Sequence, residues 1–192
     1  MILIATMVYP GGSLFNKHSV GFDWSKNFIS NLFAEKAVNG LDNPSRLWAD
    51  TGMVFLALSF AVFFINFSKK IPDLGAAKVI SYLGISSMAF TFLTVTPFHD
   101  IMITIASTLF LIAMFYITVF IFKSKLHVLK VLCSSYLLLF YYTLYLYGSG
   151  NYGSLPIMQK LTFASTIILI LCLDYSTKKE DFDQAETPRP DL

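Results

Sequence analysis

Long apolar stretches separated by short polar connections dominate the chain. Five stretches approach or exceed the roughly 20 helical residues that cross a hydrocarbon core. They cover residues 48–67, 79–97, 101–122, 131–148 and 161–175. Their apolar residues leave no polar face, which favours burial in lipid over burial in a soluble core. The pattern therefore predicts an all-α protein, a polytopic transmembrane helical bundle.

A sixth candidate helix, residues 1–15, would bring the bundle to about six helices. Pro10, Gly11 and Gly12 interrupt this stretch, and proline does not fit a helix interior. Either the helix begins upstream of Met1, or it is broken or only partly inserted. A cleaved signal peptide is not expected, because no basic residue precedes the apolar run.

The connection 16–47 carries a second periodicity. Its large apolar residues recur at helical spacing: Trp24, Phe28, Ile29, Leu32 and Phe33. Asp23 suits an N-cap, and Asn39-Gly40 suits a helix stop. This predicts a short amphipathic helix in the membrane interface. The transmembrane domain is expected to cover residues 1–177, and the polar tail 178–192 is expected to be disordered.

Composition strengthens the membrane assignment. Hydrophobic residues make up 55% of the 192 residues and charged residues only 14%, whereas soluble domains carry roughly a quarter charged residues. The net charge of +2 is too small to suggest nucleic acid as a partner. Cys133 and Cys172 lie in apolar runs, where a thiol usually behaves as a small hydrophobe.

The distribution of lysine predicts the orientation. Bases gather on one side, in two connections and the tail: Lys69, Lys70, Lys78, Lys123, Lys125, Lys130, Lys178, Lys179 and Arg189. Short basic loops stay cytoplasmic, so we expect a plasma-membrane protein with both termini cytoplasmic and a periplasmic cap made by 16–47. The bases of that connection, Lys17, Lys26, Lys36 and Arg46, count against this orientation.

Three short motifs resemble an uncharacterised family of bacterial polytopic membrane proteins. They are Tyr9-Pro10-Gly11-Gly12-Ser13, Gly21-Phe22-Asp23-Trp24, and the run from Asn27 to Leu32. Similar proteins have a Pro-Gly-Gly turn after the first helix, an Asn-x-x-Ser/Cys-Asp-Leu motif and a later Pro-x-Asp turn. This chain has Asn31 where Asp is usual, and no histidine follows Asp100 in the next helix. The resemblance implies the inner-membrane architecture of a bacterial protein and supplies no activity.

Polar residues that packing does not explain gather on the predicted outer side. The candidate catalytic residues are His99, Asp100, His18, Asp23 and Asp50, and the candidate ligand-binding residues are Asn27, Ser30, Asn31, Tyr145 and Tyr152. Ionisable groups at membrane depth are often functional. The alternatives are solvated loops, an N-cap at Asp100 and an interfacial tyrosine belt. With two histidines on this side and no His-x-x-x-His spacing, we expect no metal and no cofactor.

Three functions remain open from the sequence. The first is a protein that binds a membrane lipid or a membrane partner at its outer face. The second is a hydrolase-like enzyme acting on a lipid or headgroup at the outer leaflet. The third is a small transporter, for which a homo-oligomer is also open. Small residues such as Gly84 and Ser87 are expected at helix contacts rather than at a ligand site.

Overall fold

The computed structural model describes residues 1–96 and 98–183, and its regular secondary structure is helical. Seven α-helices and one 3₁₀ helix occur in these residues. They are α1 (Ile2–Met7), the 3₁₀ helix (Ile29–Phe33), α2 (Ser45–Ser68), α3 (Leu74–Leu93), α4 (His99–Lys123), α5 (His127–Gly148), α6 (Leu155–Ser176) and α7 (Glu180–Asp183).

Five of these helices, α2 to α6, are long and apolar enough to cross a membrane, with 20 to 25 residues each. The predicted transmembrane bundle is thus confirmed. The stretch that looked shortest becomes a helix of 22 residues, about 33 Å long, because it begins at Leu155 with Pro156 in its first turn. Proline is well suited to that position.

The sixth candidate, α1, is too short to cross. Its six residues rise about 9 Å, and it ends at Met7, before Pro10. Met1 lies against Gly52 in α2, about 10 Å along that helix from Ser45. Between Met1 and Pro10 the structure thus contains a short helix packed on α2, and it does not place Met1 at the lysine-bearing end of the bundle.

Aromatic side chains fill the centre of the bundle, where α3 packs between α2 and α4. Phe64 is fully buried and meets Phe63 and Phe110 edge to face, with ring centroids 5.2 and 5.8 Å apart. Gly84 of α3 lies directly against the Phe64 ring, which confirms the small-residue contact. The α5–α6 pair adds a hydroxyl contact, Tyr136 to Thr166 at 2.8 Å.

The lysine face is the end of the bundle that carries Lys69, Lys70, Lys78, Lys123, Lys125, Lys130, Lys178 and Lys179. Here the expected disorder of the tail needs correction for residues 178–183. They include helix α7, and Phe182 is only 1% exposed, with its ring 5.8 Å from that of Phe67. Burial of this aromatic side chain helps to hold the segment, together with the hydrogen bond from the Lys178 N–H to the Asp181 carboxylate. The rest of the predicted disordered tail, 184–192, lies outside the described residues.

The opposite end is covered by the cap, which we define as residues 8–44. The amphipathic helix expected there shrinks to the five-residue 3₁₀ helix, because side chains bind the backbone groups that an α-helix would use. The Asn43 amide donates to the carbonyls of Asn31, Leu32 and Ala34. Three residues of the predicted apolar face, Ile29, Leu32 and Phe33, are nonetheless buried against α1 and α2, whereas Trp24 is 50% exposed.

Candidate functional site

The Pro-Gly-Gly run forms the centre of the cap. Gly11 and Gly12 have φ values of +139° and +82°, which side-chain-bearing residues rarely adopt. A Cβ on Gly11 would overlap the Ser19 carbonyl, and one on Gly12 would overlap the backbone of Val38 and Asn39. The two glycines therefore let three segments of the cap meet backbone to backbone.

Asn27 and Asn31, both predicted ligand-binding residues, are used inside the cap. Asn27 is fully buried; its amide donates to the Gly12 carbonyl at 2.6 Å, and its oxygen accepts the Asp23 N–H at 2.9 Å. The Asn31 oxygen accepts the Phe28 N–H at 2.7 Å. These bonds fix the cap and use the whole Asn27 amide and the oxygen of the Asn31 amide.

Two side chains of α6 hold the cap on the bundle. The Lys160 ammonium donates to the carbonyl of Asn27 and lies 5.5 Å from the centroid of the Phe22 ring. The Gln159 oxygen accepts the Ile29 N–H at 2.8 Å. Neither residue is among the candidates predicted from the sequence. The available indication was that Lys160 is the lone base in the connection after Gly148.

Asp23 and His18 lie on the surface of the cap. The Asp23 carboxylate accepts the Ser25 hydroxyl at 2.6 Å and the Ser25 N–H at 2.8 Å, and Lys26 lies 3.7 Å away. The serine hydrogen bonds hold the pKa of Asp23 below its ordinary value because they stabilise the ionised carboxyl. His18 is exposed, and its backbone N–H donates to Asn16.

Asp50 lies in the second turn of α2, where one carboxyl oxygen is 3.6 Å from Nε of Arg46. Its other oxygen is enclosed and has no hydrogen-bond partner among the described residues. No hydrogen bond or ion pair in residues 1–96 and 98–183 joins Asp50 to the histidine candidates. The five catalytic candidates therefore do not form one cluster.

His99 and Asp100 do form a pair at the start of α4. His99 Nδ1 lies 3.0 Å from the Asp100 carboxylate, which also accepts the Tyr147 hydroxyl of α5 at 3.0 Å. The expected N-cap at Asp100 is wrong. Helix α4 begins at His99, and its N-cap residue is Phe98, which makes no side-chain hydrogen bond to the start of the helix. Asp100 instead sits in the first turn, where its charge suits the helix dipole.

A small groove brings together two of the predicted residues, His99 and Ser30. This cap groove has a volume of about 240 Å³ and lies between the 3₁₀ helix and the α3–α4 turn. Its lining residues are Ser30, Phe33, Ala34, Thr94, Val95, Thr96 and His99. No hydrogen bond joins Ser30 to His99 in the described part of the chain. The groove thus offers hydroxyls and an imidazole beside an apolar wall.

The two tyrosine candidates lie outside the cap groove. Tyr145 is 67% and Tyr152 44% exposed, which suits the interfacial belt that was the alternative for them. Tyr147, in contrast, has a polar partner on another helix, because its hydroxyl donates to the Asp100 carboxylate. In the sequence, nothing about the position of Tyr147 in α5 distinguished it from the neighbouring tyrosines.

Within the described ranges, no three His, Cys, Asp or Glu side chains are placed to hold a metal ion. The polar groups that line the cap groove are instead the hydroxyls of Ser30, Thr94 and Thr96 and the imidazole of His99. Comparison with protein families, with curated proteins and with solved structures yields no match for this chain. The resemblance of its short motifs to a bacterial membrane-protein family therefore stays a prediction.

Proposed function

We propose that this polytopic membrane protein binds a lipid headgroup in the cap groove at the outer leaflet of a bacterial plasma membrane. The observation that carries the proposal is the composition of the groove. Ser30 and His99 supply hydrogen-bonding groups, the Thr94 and Thr96 hydroxyls donate to the carbonyls of Thr91 and Leu93 and keep acceptor capacity, and Phe33 lies on the same surface. A headgroup with its glycerol end presents the same combination of polar and apolar surface.

The size and place of the cap groove support this occupant. About 240 Å³ is less than the roughly 300–1,000 Å³ of pockets that enclose a whole drug-sized ligand. Beside the groove, Phe92, Phe98 and Ile101 are 42, 63 and 58% exposed. On a membrane helix such side chains face acyl chains, so a lipid could place its headgroup in the groove and its tails along α3 and α4.

The distribution of lysine supports the proposed orientation. The lysine face would be cytoplasmic and the cap periplasmic. The bundle interior favours binding over transport, because the fully buried Phe64 and its aromatic neighbours occupy the space between α2, α3 and α4. The isolated positions of Asp23, Asp50 and His18 favour binding over catalysis.

The test is photocrosslinking with a phospholipid that carries a diazirine near its headgroup. In nanodiscs, we expect crosslinks to peptides that contain Ser30 or Thr94–His99. Val95→Trp should abolish these crosslinks by filling the groove. Val131→Trp is the matched control, because Val131 is 66% exposed on α5. Equal crosslinking in both variants would contradict the proposal.

One observation supports a second candidate, a hydrolase acting on the same headgroup. The Asp100 carboxylate orients His99 through Nδ1 at 3.0 Å, and a serine lies in the same groove, so the other imidazole nitrogen could act as a general base. It ranks second because the Asp100 side chain is 85% exposed. Released headgroups, measured by mass spectrometry from mixed-lipid proteoliposomes, should disappear in Ser30→Ala and His99→Ala. Absence of any release by the wild-type protein would remove this candidate.

A further inference from the structure

A second and larger groove lies at the lysine face, away from the cap. It has a volume of about 440 Å³ and is formed by the end of α2, the start of α3 and the segment after α6. Three lysines line it: Lys69, Lys78 and Lys179. Hydroxyls of Ser81 and Tyr82 lie on the same surface. We call this site the lysine groove.

The lysines of the lysine groove have no ion-pair partner within the described residues, and the acids of α7, Glu180, Asp181 and Asp183, follow Lys179 in the chain without lining the groove. Neighbouring Lys70, in contrast, lies 4.0 Å from Asp174. The nearby Asp73 carboxylate caps α3 by accepting the Ala76 N–H, and no acidic residue among those described lines the groove. Three like charges held together in this way favour an anion.

Lys179 is held at the groove from both sides. Before it, Thr177 is buried, and its carbonyl accepts the Lys70 ammonium at 3.0 Å. After it, Phe182 is buried against Phe67. These two anchors fix the backbone of the short segment between them, so the third charge does not depend on a free tail.

The groove also faces lipid. Leu74 and Tyr82 of α3 are 77 and 66% exposed, and both lie at the groove. Because α3 crosses the membrane, these side chains meet the boundary between headgroups and acyl chains. A soluble anion has no apolar part that could cover this surface, whereas a phospholipid would cover it with its acyl chains. Basic pockets at the ends of membrane helices bind anionic headgroups for this reason.

We propose that the lysine groove binds the phosphate of an anionic phospholipid, with Lys69, Lys78 and Lys179 around the phosphate and an acyl chain along α3. The ammonium groups act as point charges on the phosphate oxygens. The site is separate from the cap groove and lies at the other leaflet. It therefore stands whether or not the cap groove binds a lipid.

The test uses the full chain in nanodiscs of phosphatidylcholine with increasing phosphatidylglycerol, with bound lipid counted by native mass spectrometry. The groove variant is Lys69→Gln with Lys78→Gln and Lys179→Gln. A matched control removes the same charge from the same face: Lys123→Gln, Lys125→Gln and Lys130→Gln. At about fivefold for each lost contact to the phosphate, the groove variant should bind phosphatidylglycerol roughly 100-fold more weakly than the wild type and at least about tenfold more weakly than the control, which loses only the general attraction of the face. Equal weakening in both would overturn the site, because it would show only general attraction to the face.

Two further experiments test whether the position of Lys179 matters and whether the bound phosphate belongs to a lipid or is a soluble anion. Phe182→Ala keeps every lysine but releases the segment that holds Lys179, so it should weaken phosphatidylglycerol binding about fivefold; unchanged binding would refute the role of the anchor. Inorganic phosphate at millimolar concentration should neither bind in neutral nanodiscs nor displace phosphatidylglycerol. Displacement by phosphate would identify a soluble anion as the ligand and overturn the lipid assignment. Circular dichroism checks that each variant is folded.

Discussion

The contact between Gly84 and Phe64 gives the sharpest prediction for the bundle. A Cβ on Gly84 would lie no more than 2.6 Å from three carbons of the Phe64 ring, where real Cβ contacts stay above about 3.0 Å. The ring has little freedom to move, since Phe64 is fully buried and packs edge to face on Phe63 and Phe110. Gly84→Ala must therefore push α3 away from α2 or force the ring from its rotamer.

The expected magnitude follows from two opposed effects. Overpacking of a core costs about 1–3 kcal/mol, and here the overlap with a ring puts the cost near the upper value. Alanine in a helix recovers up to about 1 kcal/mol relative to glycine. We expect Gly84→Ala to lower the free energy of unfolding by about 2 kcal/mol. Gly148→Ala is the matched control, because a Cβ at Gly148 meets no atom within 4 Å.

The assay is unfolding of the purified protein in mixed micelles by sodium dodecyl sulfate, followed by circular dichroism. Gly148→Ala should leave the midpoint nearly unchanged, whereas Gly84→Ala should lower it. In a Phe64→Ala background the three overlapping ring carbons, Cγ, Cδ1 and Cδ2, are absent, so the effect of Gly84→Ala should fall by at least about 1 kcal/mol, a coupling that a double-mutant cycle measures. Equal midpoints for the two alanine variants, or a coupling near zero, would refute the contact.

The cap yields three further predictions. Lys160→Met removes a charged hydrogen bond to the cap, worth about 2 kcal/mol. Hydrogen exchange of the cap amides should therefore become about 30-fold faster. The control Lys26→Met removes only an exposed ion pair and should change the exchange rate little. Burial raises the pKa of Tyr9, so its neutral phenol stabilises the cap below about pH 10 and this stabilisation is lost as the pH rises through the raised value. Tryptophan fluorescence should show an alkaline transition that Tyr9→Phe lacks, and a transition retained in that variant would exclude the phenol as its source. Ser25→Ala should raise the pKa of Asp23 toward its ordinary value, because the hydrogen bond from the Ser25 hydroxyl is the main cause of the lowered pKa. Ionised Asp23 stabilises the cap at pH values above the ordinary pKa, and this stabilisation is lost as the pH falls through the lowered pKa. Carboxyl NMR titration measures it, and an unmoved pKa would contradict the assignment.

The candidate site could be predicted only in part. His99 and Ser30 were both identified, and the structure places both at the cap groove. The groove itself depends on the α3–α4 turn meeting the 3₁₀ helix, and Thr94 and Thr96 have no feature in the sequence that distinguishes them from other threonines. Asn27 and Asn31 were predicted to bind a ligand because they are polar residues without an evident structural role, whereas the structure shows both side chains bonded to the cap backbone.

The sequence by itself determined the membrane-spanning bundle, because continuous apolar runs of this length are stable as helices in lipid wherever their neighbours lie. Local residues also determined the break after the first helix, through Pro10 and the two glycines. Only the tertiary structure decided which polar groups meet. Lys160 reaches the cap from α6, and Lys179 joins Lys69 and Lys78, across distances in the chain that no periodicity encodes. These contacts depend on how helices and loops pack, and a hydrogen bond or a shared charge site is decided within a few ångströms.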